Sequence, residues 1–440
     1  KGTIYDIKMQ PNGLLFSGID FRELYHNKRL PMKELLVYTP VAKIRLAQNG
    51  NVVKKTEDSS LFLQKLSDYM TGIYVDKTKI SRVKLNYGYS IDNDKTGFFD
   101  TSFDFELENL SLDSATFYRS DKIFFADGFK VSFSDISLQL ADDFHNLFVD
   151  SVSLSSSGQS AEIFNMKVMP VYNIAAEDSI MRVHNEIIEI DFPKIQLSGA
   201  DLHNAFFKKE LIIDDFRIIN PTINLKSYNI SEEEEKSKVT YQTELYSLIS
   251  DYLFKINIHN LKMENGSINM VHQYKNQPPF EMSNLFSVRM INFQLDSLSS
   301  RNKEKLMFSD HIDLILKKQS FSLADGVHKI DAQEIGIIST ENRIYFTNAK
   351  VYPDMLSPGF KKIPIAIFAN VPSIQLSGTN IITLVNKGVL PASTVKFINP
   401  EIKLLFQQEN IKKNTTNENT LAAIKGIDLI TAEDVSIVNG

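Results

Sequence analysis

The chain reads as mainly β, and three observations predict that fold class. Apolar and polar residues alternate with period two over much of the length, which is the pattern of strands with one dry face. A short Ser-Gly segment followed by an Asp or Asn recurs three times, and a longer block recurs once at a constant offset of 183 residues. Together these predict tandem repeats of about 180 residues carrying short α-helices. Residues 1–12 read as the end of a preceding element, 13–193 as a first repeat, 194–372 as a second and 373–440 as a partial third.

The recurring segment runs Leu14 to Tyr25, Ile195 to Phe206 and Ile374 to Val385, and each copy has a proline 22 residues beyond its glycine: Gly18 and Pro40, Gly199 and Pro221, Gly378 and Pro400. Alternation ends a strand, and the Ser-Gly pair makes a turn in which positive φ costs glycine little. Asp20, Asp201 and Asn380 then stand where an N-cap belongs, ahead of apolar residues at helical spacing: Phe21/Leu24/Tyr25, Leu202/Ala205/Phe206 and Ile381/Leu384/Val385. After each helix comes a strand carrying the proline, which a bulge or an edge tolerates.

The second block lays Asn109 to Ser114 on Asn292 to Ser297, His145 on His328, and Asn165 to Val168 on Asn348 to Val351. Each repeat also holds a polar stretch and a further helical stripe, Phe62/Leu66/Tyr69/Met70 and Leu245/Leu248/Ile249/Tyr252, the latter preceded by the acidic run Ser231 to Lys238, which reads as a solvated linker. The remaining text is strand, and its alternation slips by one residue at Glu108-Asn109 and at His259-Asn260, where bulges are expected. So little helix cannot cover a sheet of this extent. The apolar face is therefore expected to be buried by curling on itself or against a ligand.

Several functions are excluded or disfavoured. The formal charge of −6 is spread without a basic block, which argues against nucleic acid. Zero cysteines exclude a thiol nucleophile and a disulfide framework. The eight histidines show no metal-ligand spacing, and no nucleophile elbow, Walker loop or dinucleotide fingerprint occurs. Asp113 and Asp296 recur in Leu-Asp-Ser triplets and read as turn-making residues. No metal, cofactor or enzymatic activity is expected. The longest apolar stretches fall short of the roughly 18 residues of a membrane span, and the chain reads as a segment of something longer.

The ordered series of these motifs resembles the AsmA/TamB-like family and related bridge-like lipid transfer proteins. It runs from apolar-x-apolar-Ser-Gly-x-Asp through a Pro-started strand such as Pro221 to Leu225, and closes at Ile256 to Ile268. A looser close spans Ile427 to Ile437. The resemblance implies an elongated, twisted antiparallel β-sheet curled into an apolar groove that conducts phospholipid acyl chains between membranes in the periplasm. It further implies anchoring to the inner membrane by a segment this sequence lacks, and membrane proteins as partners at the ends of the conduit. Candidate groove residues are Phe103, Phe105, Leu107, Leu110, Leu112, Ile256, Ile258, Leu261, Met263, Val288, Met290, Phe293 and Leu295. The alternative is a structural or adhesive repeat protein in which the same residues fill a sealed core.

Overall fold

The computed structural model of the protein describes residues 5–10, 12–38, 41–46, 69–92, 95–117, 122–139, 144–170, 186–230, 246, 253–274, 280–299, 305–323, 326–406 and 429–439. Pro40, the acidic run 231–238, the stripe at 245, 248, 249 and 252, and residues 62 and 66 of the other stripe lie outside these residues. Tyr69, the next residue of that stripe, lies in a turn rather than a helix. The described residues are mainly β, in mixed sheet with few short helices.

The chain divides into two compact units, Lys1–Ile258 with Met270–Phe280, and His259–Asn269 with Glu281–Gly440. The first unit contains β1 (Tyr5–Gln10), β2 (Gly13–Ser17), β3 (Arg29–Tyr38), β4 (Val41–Leu46), β5 (Gly72–Asp92) and β6 (Lys95–Asp113). It continues with β7 (Gly128–Gln139), β8 (His145–Ser155), β9 (Ser160–Pro170), β10 (Glu186–Ser198), β11 (Glu210–Ile219) and β12 (Thr222–Ile230). β13 (Lys255–Tyr274) and β14 (Phe280–Asp296) hold residues of both units. The second unit adds β15 (His311–Ser322), β16 (His328–Ile338), β17 (Arg343–Pro353), β18 (Ile365–Ser377), β19 (Val389–Ile398), β20 (Glu401–Phe406) and β21 (Leu429–Val438).

Strands β5 to β10 pair antiparallel in sequence order, as do β14 to β18. The expectation of a wholly antiparallel sheet needs correcting, because β3 and β4 pair with β5 in parallel, and β19 pairs with β21 in parallel. A parallel pair needs a crossover of a dozen or more residues. Residues 47–68 and 407–428, which separate these strands, meet that length.

The three motif copies share one hairpin register. Counted from its glycine, each pairs the preceding serine with the residue sixteen positions on: Ser17 with Glu34, Ser198 with Asp215, Ser377 with Thr394. β11 and β12 then read along β10 as one interrupted strand, with β19 and β20 doing the same along β18. Gly18, Gly199 and Gly378 all take positive φ, and at Gly199 a Cβ would run into the Asp214 side chain, so both backbone and space require glycine. The helices Phe21–Asn27, Leu202–Lys208 and Ile381–Lys387 follow, capped by Asp20 on the amides of Arg22 and Glu23, Asp201 on that of Asn204, and Asn380 on that of Thr383. The strand bounds of β7, β8 and β9 coincide with those of β15, β16 and β17 at the offset of 183 residues.

A line of positions skipped by the strand register crosses each unit, and several of its residues are left-handed. In the first, Asp135, Asp150, Asn165, Pro193 and Asn220 follow one another across β7 to β11, and Asp135, Asn165 and Asn220 have φ of 55°, 50° and 52°. In the second, Lys318, Gln333, Asn348, Pro372 and Asn399 do the same, with Lys318, Asn348 and Asn399 at 56°, 48° and 51°. Asn tolerates this region best among residues with a side chain, and proline has no N–H to lose from a ladder. Apolar parity changes across the line, yet burial persists on both sides: Ile335 with Ala332, Ile344 with Ala349, Leu376 with Val371. These creases, rather than inserted residues, carry the parity slips.

The slip at Glu108-Asn109 is likewise no bulge. The β5–β6 register is the same at Val75–Leu110 and at Lys77–Glu108, with Asn109 at φ 53°, and the shifts in that pair fall between Ile80 and Val83 and between Ser90 and Asp92. In β13 the left-handed residue is Asn265, beyond the expected slip at His259-Asn260.

Candidate functional site

The register of the first unit sorts side chains into two faces. One row across β5 to β11 runs Ile80, Phe105, Val131, Leu154, Ala161, Leu197, Phe216, and its neighbour runs Val83, Phe103, Phe133, Val152, Ile163, Ile195, Ile218. Each residue is the direct cross-strand partner of the next, and all are apolar. The intervening positions from β6 to β11 give Asp104, Ser132, Ser153, Glu162, Gln196 and Arg217 on the other face.

On the apolar face lies a cavity of about 630 Å³ with walls that are apolar throughout. Its floor is Ile80 of β5, Phe103 and Phe105 of β6, and Phe129, Val131 and Phe133 of β7. The turn residues Ile123 and Phe124 form one side, while Leu202, Ala205 and Phe206 of the helix Leu202–Lys208 form another. That helix is held in place by its entry turn, where the Ala200 amide donates to the Gln159 carbonyl at the tip of the β8–β9 hairpin, 2.9 Å. The corresponding bond recurs in the second unit from Thr379 to Asn342, also 2.9 Å.

Rings define the cavity. Phe124 stands edge-on to Phe105 (5.2 Å between centroids), Phe129 (5.4 Å) and Phe206 (6.1 Å), and Phe103 lies 5.5 Å from Phe133. Such aromatic pairs stabilise by about 0.5–1.5 kcal/mol each beyond the area they bury. Phe124 and Phe125 are both left-handed, at φ 55° and 60°, and Met307 and Phe308 repeat this at 44° and 66°. A bulky residue in that region costs about 1–2 kcal/mol, so the turn that presents Phe124 is held by its packing.

A smaller cavity of about 130 Å³ shares Ile123, Phe129 and Leu202 with the first and adds polar groups, among them Asp127, Ser156, Gln159, Asp201 and His203. Lys122 meets Asp127 at 2.6 Å and holds its carboxyl below the usual carboxylate range. The polar face carries a third cavity of about 560 Å³ floored by serines, including Ser153, Ser155 and Ser160. There Gln196 and Lys194, at 2.9 and 3.2 Å, keep the Glu162 carboxyl low.

Of the expected groove residues, Phe103 and Phe105 line the large cavity. Leu107 is buried in a cluster with Ile123, Ala126 and Phe129, against which Leu110 packs, and Leu112 is half-buried opposite Ile73. Ile258, Leu261, Met290 and Leu295 are buried, whereas Ile256, Met263, Val288 and Phe293 are half-buried. Phe124, Phe129 and Phe206 escaped that selection. Phe206 was legible as the last residue of a helical stripe, but nothing local marks Phe124 or Phe129 as its neighbours.

The repeated polar residues are structural. His145 and His328, 6% and 4% exposed, each accept at Nε2 from a backbone amide, that of Ile188 at 3.2 Å and that of Ile367 at 2.9 Å. Asp113 accepts from the amide and hydroxyl of Thr116 and from the Tyr74 hydroxyl, and Asp296 from the amides of Leu298 and Ser299. Burial alone raises both carboxyls, but these hydrogen bonds outweigh it and hold them below the usual range. Burial and a 2.8 Å bond to Glu334 push the Tyr345 phenol up to about 12. Among the described residues no group of three or more His, Asp or Glu side chains is arranged to hold a metal ion, and no helix is long and apolar enough to cross a membrane.

No family model matches the chain, and no curated protein matches it. Among solved structures, the C-terminal domain of the sex pheromone staph-cAM373 precursor from Staphylococcus aureus aligns over 58% of this chain and 61% of that chain, at 11% identity and a TM-score of 0.10. A likeness that slight carries no inference about fold or function.

Proposed function

We propose that this protein is a non-enzymatic lipid-binding module of the cell envelope, in which tandem repeats of about 180 residues form a groove that shields phospholipid acyl chains passing between membranes. The observation that carries this reading is the wholly apolar cavity of about 630 Å³ set on a continuous apolar sheet face. Taking a methylene from water into such a site gains about 0.8 kcal/mol, so a hydrocarbon chain is held while its head group stays in solvent. The shared hairpin register and the coincident strand bounds support the repeat. A periplasmic location, an inner-membrane anchor and membrane-protein partners at the ends follow from the family resemblance and belong to the same proposal.

A second reading, a structural or adhesive repeat protein with a sealed core, is favoured by the burial of Leu107, Ile258, Leu261, Met290 and Leu295. Native mass spectrometry and lipid extraction of protein purified from cells separate the two. The conduit reading expects co-purifying lipid, and expects Phe105→Glu to lower lipid loading while the circular dichroism spectrum stays that of a folded β protein. Lipid-free protein, together with unfolding on Phe105→Glu, overturns it in favour of the sealed core.

A further inference from the structure

The duplication gives the large cavity an internal control. At the offsets already established, Phe105, Phe124, Phe129 and Phe133 correspond to Val288, Met307, Ile312 and Leu316, and Phe206 corresponds to Val385. Six of the eleven residues lining the cavity are phenylalanine, and five of those six positions are aliphatic in the second unit. Size alone does not demand this, because leucine or methionine would fill the same walls. What rings add is rigidity and a quadrupole.

A ring has only two side-chain torsions, and the mutual edge-on contacts of Phe124 with Phe105, Phe129 and Phe206 fix those. The cavity is therefore preformed, whereas aliphatic walls repack around whatever enters. A preformed site favours a ligand that has little conformational freedom to lose. A hydrocarbon chain with several double bonds has fewer free torsions than a saturated chain of equal length. Its sp² segments also offer π faces to ring edges, the arrangement aromatic groups prefer.

We infer that the phenylalanine-walled cavity of the first unit selects hydrocarbon chains carrying several double bonds over saturated chains of the same length, with Phe105, Phe124 and Phe206 as the specificity-determining residues. This rests on the apolar-ligand reading above and sharpens it. Two natural sources share the chemistry, polyunsaturated acyl chains and polyisoprenoids.

The unaltered protein is loaded with 11-dansylaminoundecanoic acid and titrated with linoleic and stearic acid, and with farnesol and dodecanol, following displacement of the probe by its emission. The unsaturated member of at least one pair is expected to bind about tenfold tighter, and the pair that shows the preference identifies the source. Adding Phe105→Val and Phe124→Met, the residues of the second unit, is expected to reduce the preference to under threefold while binding persists. Should that double replacement fail to fold, Phe124→Met alone is expected to halve the preference. Equal affinities within both pairs overturn the inference and leave the apolar-ligand reading standing. No response to any of the four overturns that reading as well.

Discussion

The helices Phe21–Asn27 and Leu202–Lys208 have the same length, the same turn before them, the same acidic cap and the same left-handed lysine after them. Their surroundings differ. Leu202 packs on the cluster around Ile123 and Phe129, while the corresponding Phe21 is 70% exposed and Tyr25 is 84% exposed. Identical local chemistry thus builds the same helix twice, and what the helix covers is decided by strands elsewhere in the chain. Formation and burial of this motif are separable quantities.

Substitutions can break that separation or sharpen it. The largest effect belongs to the strand following each helix, where Met32 and Ile213 are 4% and 2% exposed at equivalent positions. Met32→Ala and Ile213→Ala are each expected to cost about 2–4 kcal/mol in urea unfolding, and a large difference between them would show that the two hairpins are not equivalent in the core. Next come the helices themselves. Leu202→Ala is expected to cost about 1–2 kcal/mol against under about 0.5 for Phe21→Ala, and equal losses would mean that Phe21 has a partner of similar worth. The smallest effect is at the caps, where Asp20→Ala and Asp201→Ala are each expected to lose about 1 kcal/mol. Here equality is the expected result, and hydrogen exchange of the capped amides is the direct measure.

Sequence legibility follows the same division. The turn glycines, the caps and the seven-residue helices were readable because every cause lies within a few positions of its effect. The parity slips were readable too, but their mechanism was not, since a left-handed asparagine and an inserted residue leave the same trace in the pattern. Parallel pairing of β3 and β4 with β5 was hidden because alternation carries no direction: the same pattern serves a strand read either way. At the cavity, Phe103 and Phe105 announced themselves by alternation. Phe124 did not, because its position depends on two consecutive left-handed residues that no short-range propensity favours.

The creases have a mechanical consequence. At Asp150, Asn165 and Pro193, and again at Gln333, Asn348 and Pro372, the ladder skips a rung in neighbouring strand pairs, so the missing pairings line up across the strands. Along each line side chains join the strands instead: the Asn165 amide donates to the Asp150 carboxylate and the Asn348 amide to the Gln333 side-chain oxygen. The tie across each line is thus carried by residues that a point substitution can remove without touching the backbone pairing on either side.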